Sequence, residues 1–255
     1  MNVSAPGHII AARSWASWAT PGIRRQGGAD TEDRVLTTGT VFAVADGASR
    51  PGHGDVAAAL AITEFARSVV AAPQTGTVRD QARAAVEAAN SCVLHHAGKH
   101  PYEGMMTTLC AAVVWGGGIV VVSVGDSRIV LLRDGGVIPL MQHESHGLPK
   151  TFIGGPGQLA VASDSFLAHE GDRLVALTDG LDFLSLEQIG ELATDGTTQQ
   201  AASRLLQATL GQADDDSACV VASLGSFPVA GRPLNPAGPP AQWRARSIND
   251  PLERQ

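Results

Sequence analysis

The chain has 255 residues, a formal net charge of −7, 44% hydrophobic residues and three cysteines. This length accommodates one large domain or two small ones with a substantial core. The acidic balance, with no basic tract interleaved with aromatics, excludes nucleic acid as an expected partner. No apolar stretch reaches the roughly 18–20 residues that a membrane span requires.

The first fifteen residues lack the basic head and sustained apolar run of a secretory signal, so a soluble cytoplasmic protein is expected, with no membrane partner. Cys92, Cys110 and Cys219 show no CxxC spacing and each lies in an apolar context. They read as buried free thiols in a reducing compartment.

In chain order, residues 9–19 mix apolar and small side chains and read as an opening strand. A turn-rich stretch, 21–33, ends in Glu32 and Asp33 just ahead of a short strand at 34–36. A hairpin leads into 41–46, an unbroken apolar run that reads as a buried strand ending in Asp46 and Gly47. After a loop at 48–54, Asp55 is the expected N-cap of a helix running to about residue 71, with Ala59, Ile62, Ala66 and Val69 along one face. A second helix, 78–96, places Ala82, Val86, Ala89 and Val93 on its apolar stripe.

Strands are expected next at 107–115, 119–124, 128–132 and 137–140, joined by short turns as an antiparallel meander. A glycine- and proline-rich loop spans 143–157, and a further strand pair precedes the strand at 173–178. Helices follow at 186–192 and 199–212, and 217–224 is the last strand. Runs of strands separated from runs of helices indicate an α+β fold. Two helical pairs and eight or more antiparallel strands fit a four-layer α/β/β/α sandwich of two mainly antiparallel sheets flanked by helices. The domain is expected over residues 1–225, followed by a Pro/Gly/Arg-rich flexible tail at 226–255.

One pattern recurs. Apolar strands deliver Asp46, Asp126 and Asp179 at their ends, and the acidic triplet 214–216 leads into the last strand. A lone Asp-Gly is most simply a turn, and Asp134-Gly135 reads as a plain hairpin. Repetition shifts the balance, because a charge delivered to the rim of a core must find water or a cation. Several carboxylates gathered at one edge repel unless a cation is present or their pKa values rise. All-oxygen donors favour Mg²⁺ or Mn²⁺ over zinc. Two such ions sharing a carboxylate and a water can present hydroxide for attack on phosphorus, a chemistry that needs no side-chain nucleophile. The chain shows no nucleophile elbow, no Walker loop and no cysteine poised by basic neighbours.

The blocks TED (31–33), VFAVADG (41–47), GDVAAALA (54–61), GMMTTLCAAVV (104–114), VGDSRIVLLRDG (124–135), GDRLVALTDGL (171–181) and DDSACVVASL (215–224) occur in one order along the chain. In that order and spacing the chain resembles the metal-dependent protein phosphatases of type 2C, in their compact bacterial branch, over residues 9–224. The resemblance implies a protein serine/threonine phosphatase. Asp46 would bridge two Mg²⁺ or Mn²⁺ ions with the Gly47 carbonyl on one of them. Asp179 and Asp215 would hold the first ion, and Glu32 would approach the second through water, supported by Asp33. Asp126 resembles the residue for a third, weaker metal. Arg25, with Arg24 as runner-up, is the candidate for gripping substrate phosphate bidentately.

The chain departs from the family at Ala48, where some members carry a His, with His53 the nearest substitute. It departs again at Phe183, where the family has an acid that here sits one place earlier as Asp182. The segment between Asp33 and Asp46 is also shorter than usual. The implied partner is a phosphorylated protein, the target of a Ser/Thr kinase, and a monomer is expected. A second reading stays open: a catalytically weak or inactive phosphatase-like module that binds a phosphoprotein or regulates a kinase. His95 and His96, adjacent on a helix, point apart and make a poor metal pair, and Thr107 and Thr108 read as supports of the site.

Overall fold

The computed structural model describes residues 9–15, 31–48, 50–72, 76–115, 117–141, 151–210 and 215–227. One five-stranded sheet is built from β2 (Arg34–Thr37), β3 (Val41–Ala45), β4 (Leu109–Trp115), β5 (Gly118–Val124) and β8 (Ala162–Leu167), in the order β2-β3-β4-β5-β8. The other comprises β1 (Ile9–Trp15), β10 (Cys219–Phe227), β9 (Arg173–Leu177), β6 (Arg128–Arg133) and β7 (Gly136–Met141), in the order β1-β10-β9-β6-β7. All strand pairs are antiparallel. Helices α1 (Gly54–Ala71) and α2 (Val78–Ala97) cover the first sheet, and α3 (Leu186–Ala193) and α4 (Thr198–Ala208) cover the second.

The central strands are built mostly of apolar residues because both of their faces are buried. In β3, Val41, Ala43 and Ala45 point into the core beneath α1 and α2, while Phe42 and Val44 point into the core between the sheets. In β9, Leu174 and Ala176 face the inter-sheet core and Val175 and Leu177 face α3 and α4. Period-two alternation therefore sorts side chains between two hydrophobic cores, with no solvent face. The architecture is the expected α/β/β/α sandwich.

Several local expectations are corrected. The strands at 119–124 and 128–132 do not form a meander: β5 pairs with β4 and β8, whereas β6 pairs with β7 and β9. Residues 125–127 thus cross from one sheet to the other, and the crossing carries Asp126 to the shared rim. The β6–β7 connection is a hairpin, with Asp134 at φ 51° and Gly135 at φ 76°, as a two-residue primed turn demands. Between residue 157 and β9 only β8 is a strand among the described residues.

Helix α1 begins one residue before Asp55, with left-handed His53 at the cap position and no side-chain cap. Asp55 instead lies in the first turn, where its carboxylate suits the positive helix end and pairs with Arg34 at 3.4 Å. The buried face of α1 is Ala57, Ala58, Ala61, Ile62, Phe65 and Ala66, so Ala59 and Val69 lie off its centre. An alanine-rich sequence has too little contrast to point the face. The α2 stripe of Ala82, Val86, Ala89 and Val93 is buried as expected, and Thr77 caps that helix by accepting from Asp80 N. Cys110 and Cys219 are buried free thiols, whereas Cys92 is partly exposed. The tail expected from residue 226 lies outside the described residues, apart from the end of β10.

Candidate functional site

Three strand ends meet at one rim of the sandwich. Asp46 follows β3, Asp126 lies in the crossing between β5 and β6, and Asp179 follows β9 at the start of a single 3-10 turn. One carboxylate oxygen from each lies within 4.8 Å of the others. All three residues are half-buried. Burial first, then the charges of Asp179, Asp215 and Asp126, push the Asp46 carboxyl up to about 7. An all-carboxylate donor set, gathered this closely and protonating near neutrality without a counter-charge, fits a hard divalent cation.

The backbone of Asp46 is clamped. Its N–H donates to Thr108 Oγ1 at 2.9 Å, and its carbonyl accepts from Thr107 Oγ1 at 2.7 Å and Thr108 N at 2.8 Å. The hydroxyls of Thr108 and Ser127 lie 3.0 Å apart, tying this clamp to the loop that carries Asp126. Thr107 and Thr108 therefore support the site, as their position ahead of a strand implies.

Asp33 lies just beneath. It is 1% exposed and its Oδ2 accepts from Thr178 Oγ1 at 2.7 Å. Burial, with the charge of Asp46 next, holds its carboxyl well above the ordinary value, and it hydrogen-bonds Asp46 in turn. Glu32, half-buried, is fixed through its backbone, whose N–H donates to Asp216 Oδ2 at 2.8 Å. Asp215 is exposed at the rim, near enough for its charge to act on Asp46, but its oxygens are not within the 4.8 Å set. Its Oδ1 accepts from Asp216 N at 2.8 Å. Arg24, Arg25 and Asp214 lie outside the described residues.

Two glycines permit this convergence. A Cβ on Gly47 would sit 2.2 Å from the Gly54 carbonyl oxygen, and one on Gly180 would sit 2.0 Å from that of Asp216. Side chains there would push β3 away from α1 and Asp179 away from the 215–217 segment. Thr178 and Ser127 are site residues that the sequence does not single out, whereas Asp216 belongs to the acidic triplet expected there. Thr178 and Ser127 flank two of the predicted acids, which is the only signal they carry.

Other candidates resolve into structural roles. Asp182 pairs with Arg128 at 3.2 Å, and Phe183 is exposed. The same Arg128 donates to the carbonyls of Leu181 at 2.6 Å and Leu184 at 3.2 Å, fixing the turn after Asp179. His53 stands edge-on to Tyr102, and His95 and His96 bond to Lys99 and to the Cys92 carbonyl respectively.

Fold and site together define an α/β/β/α sandwich with a cluster of carboxylates, able to hold a hard cation, at the rim shared by its two sheets. The family model for protein phosphatase 2C matches residues 24–224, and the chain belongs to that family. It is 30% identical over 216 residues to the serine/threonine protein phosphatase PstP of Mycobacterium tuberculosis, a match that covers 76% of this chain and 42% of that relative. The chain thus spans less than half the length of the curated relative. The crystal structure of the PstP catalytic domain in complex with two manganese ions superposes with a TM-score of 0.71 at 28% identity, covering 85% of this chain and all (100%) of that one. The Ser-Thr phosphatase MsPP from Mycobacterium smegmatis, solved in complex with cacodylate, gives a TM-score of 0.69 at 27% identity, covering 86% of this chain and 100% of that one.

Proposed function

We propose that this chain is a Mg²⁺- or Mn²⁺-dependent protein phosphatase that hydrolyses phosphoserine and phosphothreonine. The single observation that carries the reading is the convergence of Asp46, Asp126 and Asp179 from three separate strand ends. The similarity to PstP, whose catalytic domain was solved with two manganese ions, supports the choice of metal. Bound there, such ions supply polarisation of a water molecule and of the phosphoryl oxygens.

The protein's part is to hold and orient. Asp46 would be shared between two ions, with the Gly47 carbonyl beside it. Asp179 and Asp215 would complete one site, Glu32 would reach the other through water, and Asp126 would serve a third. Asp33, gripped by Thr178, would fix the Asp46 carboxylate from below. Arg25 remains the candidate for orienting the substrate phosphate. The acid set is intact, and no observation among the described residues favours the non-catalytic reading.

The substrate is a phosphorylated protein, the product of a Ser/Thr kinase, in a signalling role in the cytoplasm. The phosphatase-like domain, expected over residues 1–225, takes in the last two residues of β10 and acts as a monomer, with the residues beyond Phe227 as a tail. No described helix is long and apolar enough to cross a membrane. The test is Mn²⁺-dependent phosphate release from a phosphothreonine peptide. It should vanish with chelator and in Asp46→Asn and Asp179→Asn, and activity surviving both substitutions refutes the reading.

A further inference from the structure

The hydrogen bonds that clamp Asp46 do not end at Thr107. Both backbone groups of Thr107 pair with Ile153: Thr107 N donates to Ile153 O at 3.0 Å, and Ile153 N donates to Thr107 O at 2.8 Å. Ile153 belongs to no strand, and this is an isolated bridge. What holds the turn around it is α2. Asn90 Oδ1 accepts from Gly154 N at 2.8 Å. Gly154, at φ +80°, packs so tightly that a Cβ would meet Val93 Cγ1 at 2.4 Å and the Met105 carbonyl at 2.9 Å. The turn has no slack against the helix.

Asn90 is an anomaly in its helix. The residues around it on the buried stripe are Ala82, Ala85, Val86, Ala89 and Val93. An amide in a helix interior is a poorer helix former than alanine, and a half-buried one must be hydrogen-bonded to offset its desolvation. Its carbonyl oxygen supplies an acceptor to a backbone N–H outside the regular ladders.

We propose that Asn90 is a positioning residue for Asp46, acting through Gly154, Ile153 and Thr107. The proposal rests on the phosphatase reading only in taking Asp46 as a metal ligand. Without the Asn90 acceptor, the turn at 153–154 relaxes from α2, the Thr107 backbone loses its fixed partner, and the hydroxyl that holds the Asp46 carbonyl moves with it. Outer residues that orient ligands typically change metal affinity by about 10–100-fold.

A second contact between α2 and the same stretch of chain provides a control. Arg83 Nη1 donates to Val161 O at 2.9 Å and to Ser163 Oγ at 3.1 Å, pinning the start of β8 without a bond to Thr107. A general loosening of α2 would show in Arg83→Leu as well, whereas positioning of Asp46 would not.

The experiment is calorimetric titration of Mn²⁺ into the full chain. Asn90→Leu, which keeps the shape and removes the acceptor, should raise the Mn²⁺ Kd about tenfold. Asn90→Asp, which keeps an acceptor oxygen in place, should stay within about twofold of wild type, and so should Arg83→Leu. Thr107→Val should weaken Mn²⁺ binding as Asn90→Leu does, and the double variant should fall short of the sum of the two, as residues on one path do. A folded Asn90→Leu with wild-type Mn²⁺ affinity overturns the proposal. So does an equal loss in Arg83→Leu. If Asn90→Leu does not fold, Asn90→Ser, too short to reach Gly154, is titrated in its place and read by the same criterion. Wild type that binds Mn²⁺ but releases no phosphate from a phosphothreonine peptide refutes the activity alone, with the Kd series still deciding the role of Asn90. Wild type that takes up no Mn²⁺ overturns both.

Discussion

Thr178 Oγ1 donates a 2.7 Å hydrogen bond to Asp33 Oδ2 across a sequence separation of 145 residues. The same hydroxyl accepts from Ala218 N at 2.8 Å. One side chain at the end of β9 thereby joins the neighbouring strand β10 to the acidic turn ahead of β2. Thr178→Val, nearly isosteric, leaves both a buried carboxyl and a buried N–H without this partner. Each such loss costs about 1–3 kcal/mol. Urea unfolding should show a destabilisation of this order, together with weaker Mn²⁺ binding, since Asp33 would no longer be held against Asp46.

The pH dependence of the metal-free protein follows from Asp46. Its carboxyl titrates near 7 in the folded chain against an ordinary value of 3.8. Between those values the folded state keeps a proton that the unfolded state has released, so stability falls as pH rises through the window and levels off above it. Asp33, also raised, adds in the same direction. Thermal unfolding in chelator should therefore show a Tm that drops from about pH 5 to about pH 7. Added Mn²⁺ should reverse the drop at the upper end. Proton and metal compete for the same oxygens, so Mn²⁺ affinity should weaken as pH falls below about 7.

Asp46→Asn separates stability from function. In chelator it removes a carboxylate that burial and three neighbouring acids penalise, so the variant should be more stable than wild type above neutral pH, by about 1–3 kcal/mol. With Mn²⁺ present the order should invert, because wild type gains binding energy that the variant has lost. Parallel Tm measurements with and without Mn²⁺ check this. A variant less stable than wild type in chelator would show that the cluster is not mutually repulsive.

The Arg133–Asp172 pair lies away from the rim and should act on stability only. Arg133 Nε and Nη2 reach the two Asp172 oxygens at 2.7 and 2.6 Å, and both side chains are buried. Asp172 also accepts from His169 N at 2.7 Å. Asp172→Asn strands a buried guanidinium and should cost about 3–5 kcal/mol in urea unfolding. Mn²⁺ affinity should be unchanged.

Much of this molecule is legible in its sequence, for an identifiable reason. The unbroken apolar runs at β3, β4, β5 and β9 mark strands buried on both faces, and a strand of that kind can only end where polar residues are tolerated. Asp46, Asp126 and Asp179 stand at those ends, so the meeting of Asp46 and Asp179 at a rim was inferable, whereas Asp126 joins them within 4.8 Å and the expected Asp215 does not. The α2 stripe and the Asp134-Gly135 hairpin were legible because each is decided within a few residues by periodicity or turn chemistry.

What tertiary structure alone decided is whatever depends on partners distant in the chain. Residues 125–127 look like one more hairpin turn, yet they change sheets, because β6 finds its neighbours in β7 and β9. Asp55 looks like a helix cap until Arg34 claims it, and an alanine-rich α1 acquires a direction only by packing. Asp215 and Asp216 are adjacent and chemically identical, but one stands exposed at the rim while the other is buried against the Glu32 backbone. Local composition sets which segments are strands and where charge must surface; only the packing of two sheets face to face determines which of those charges meet.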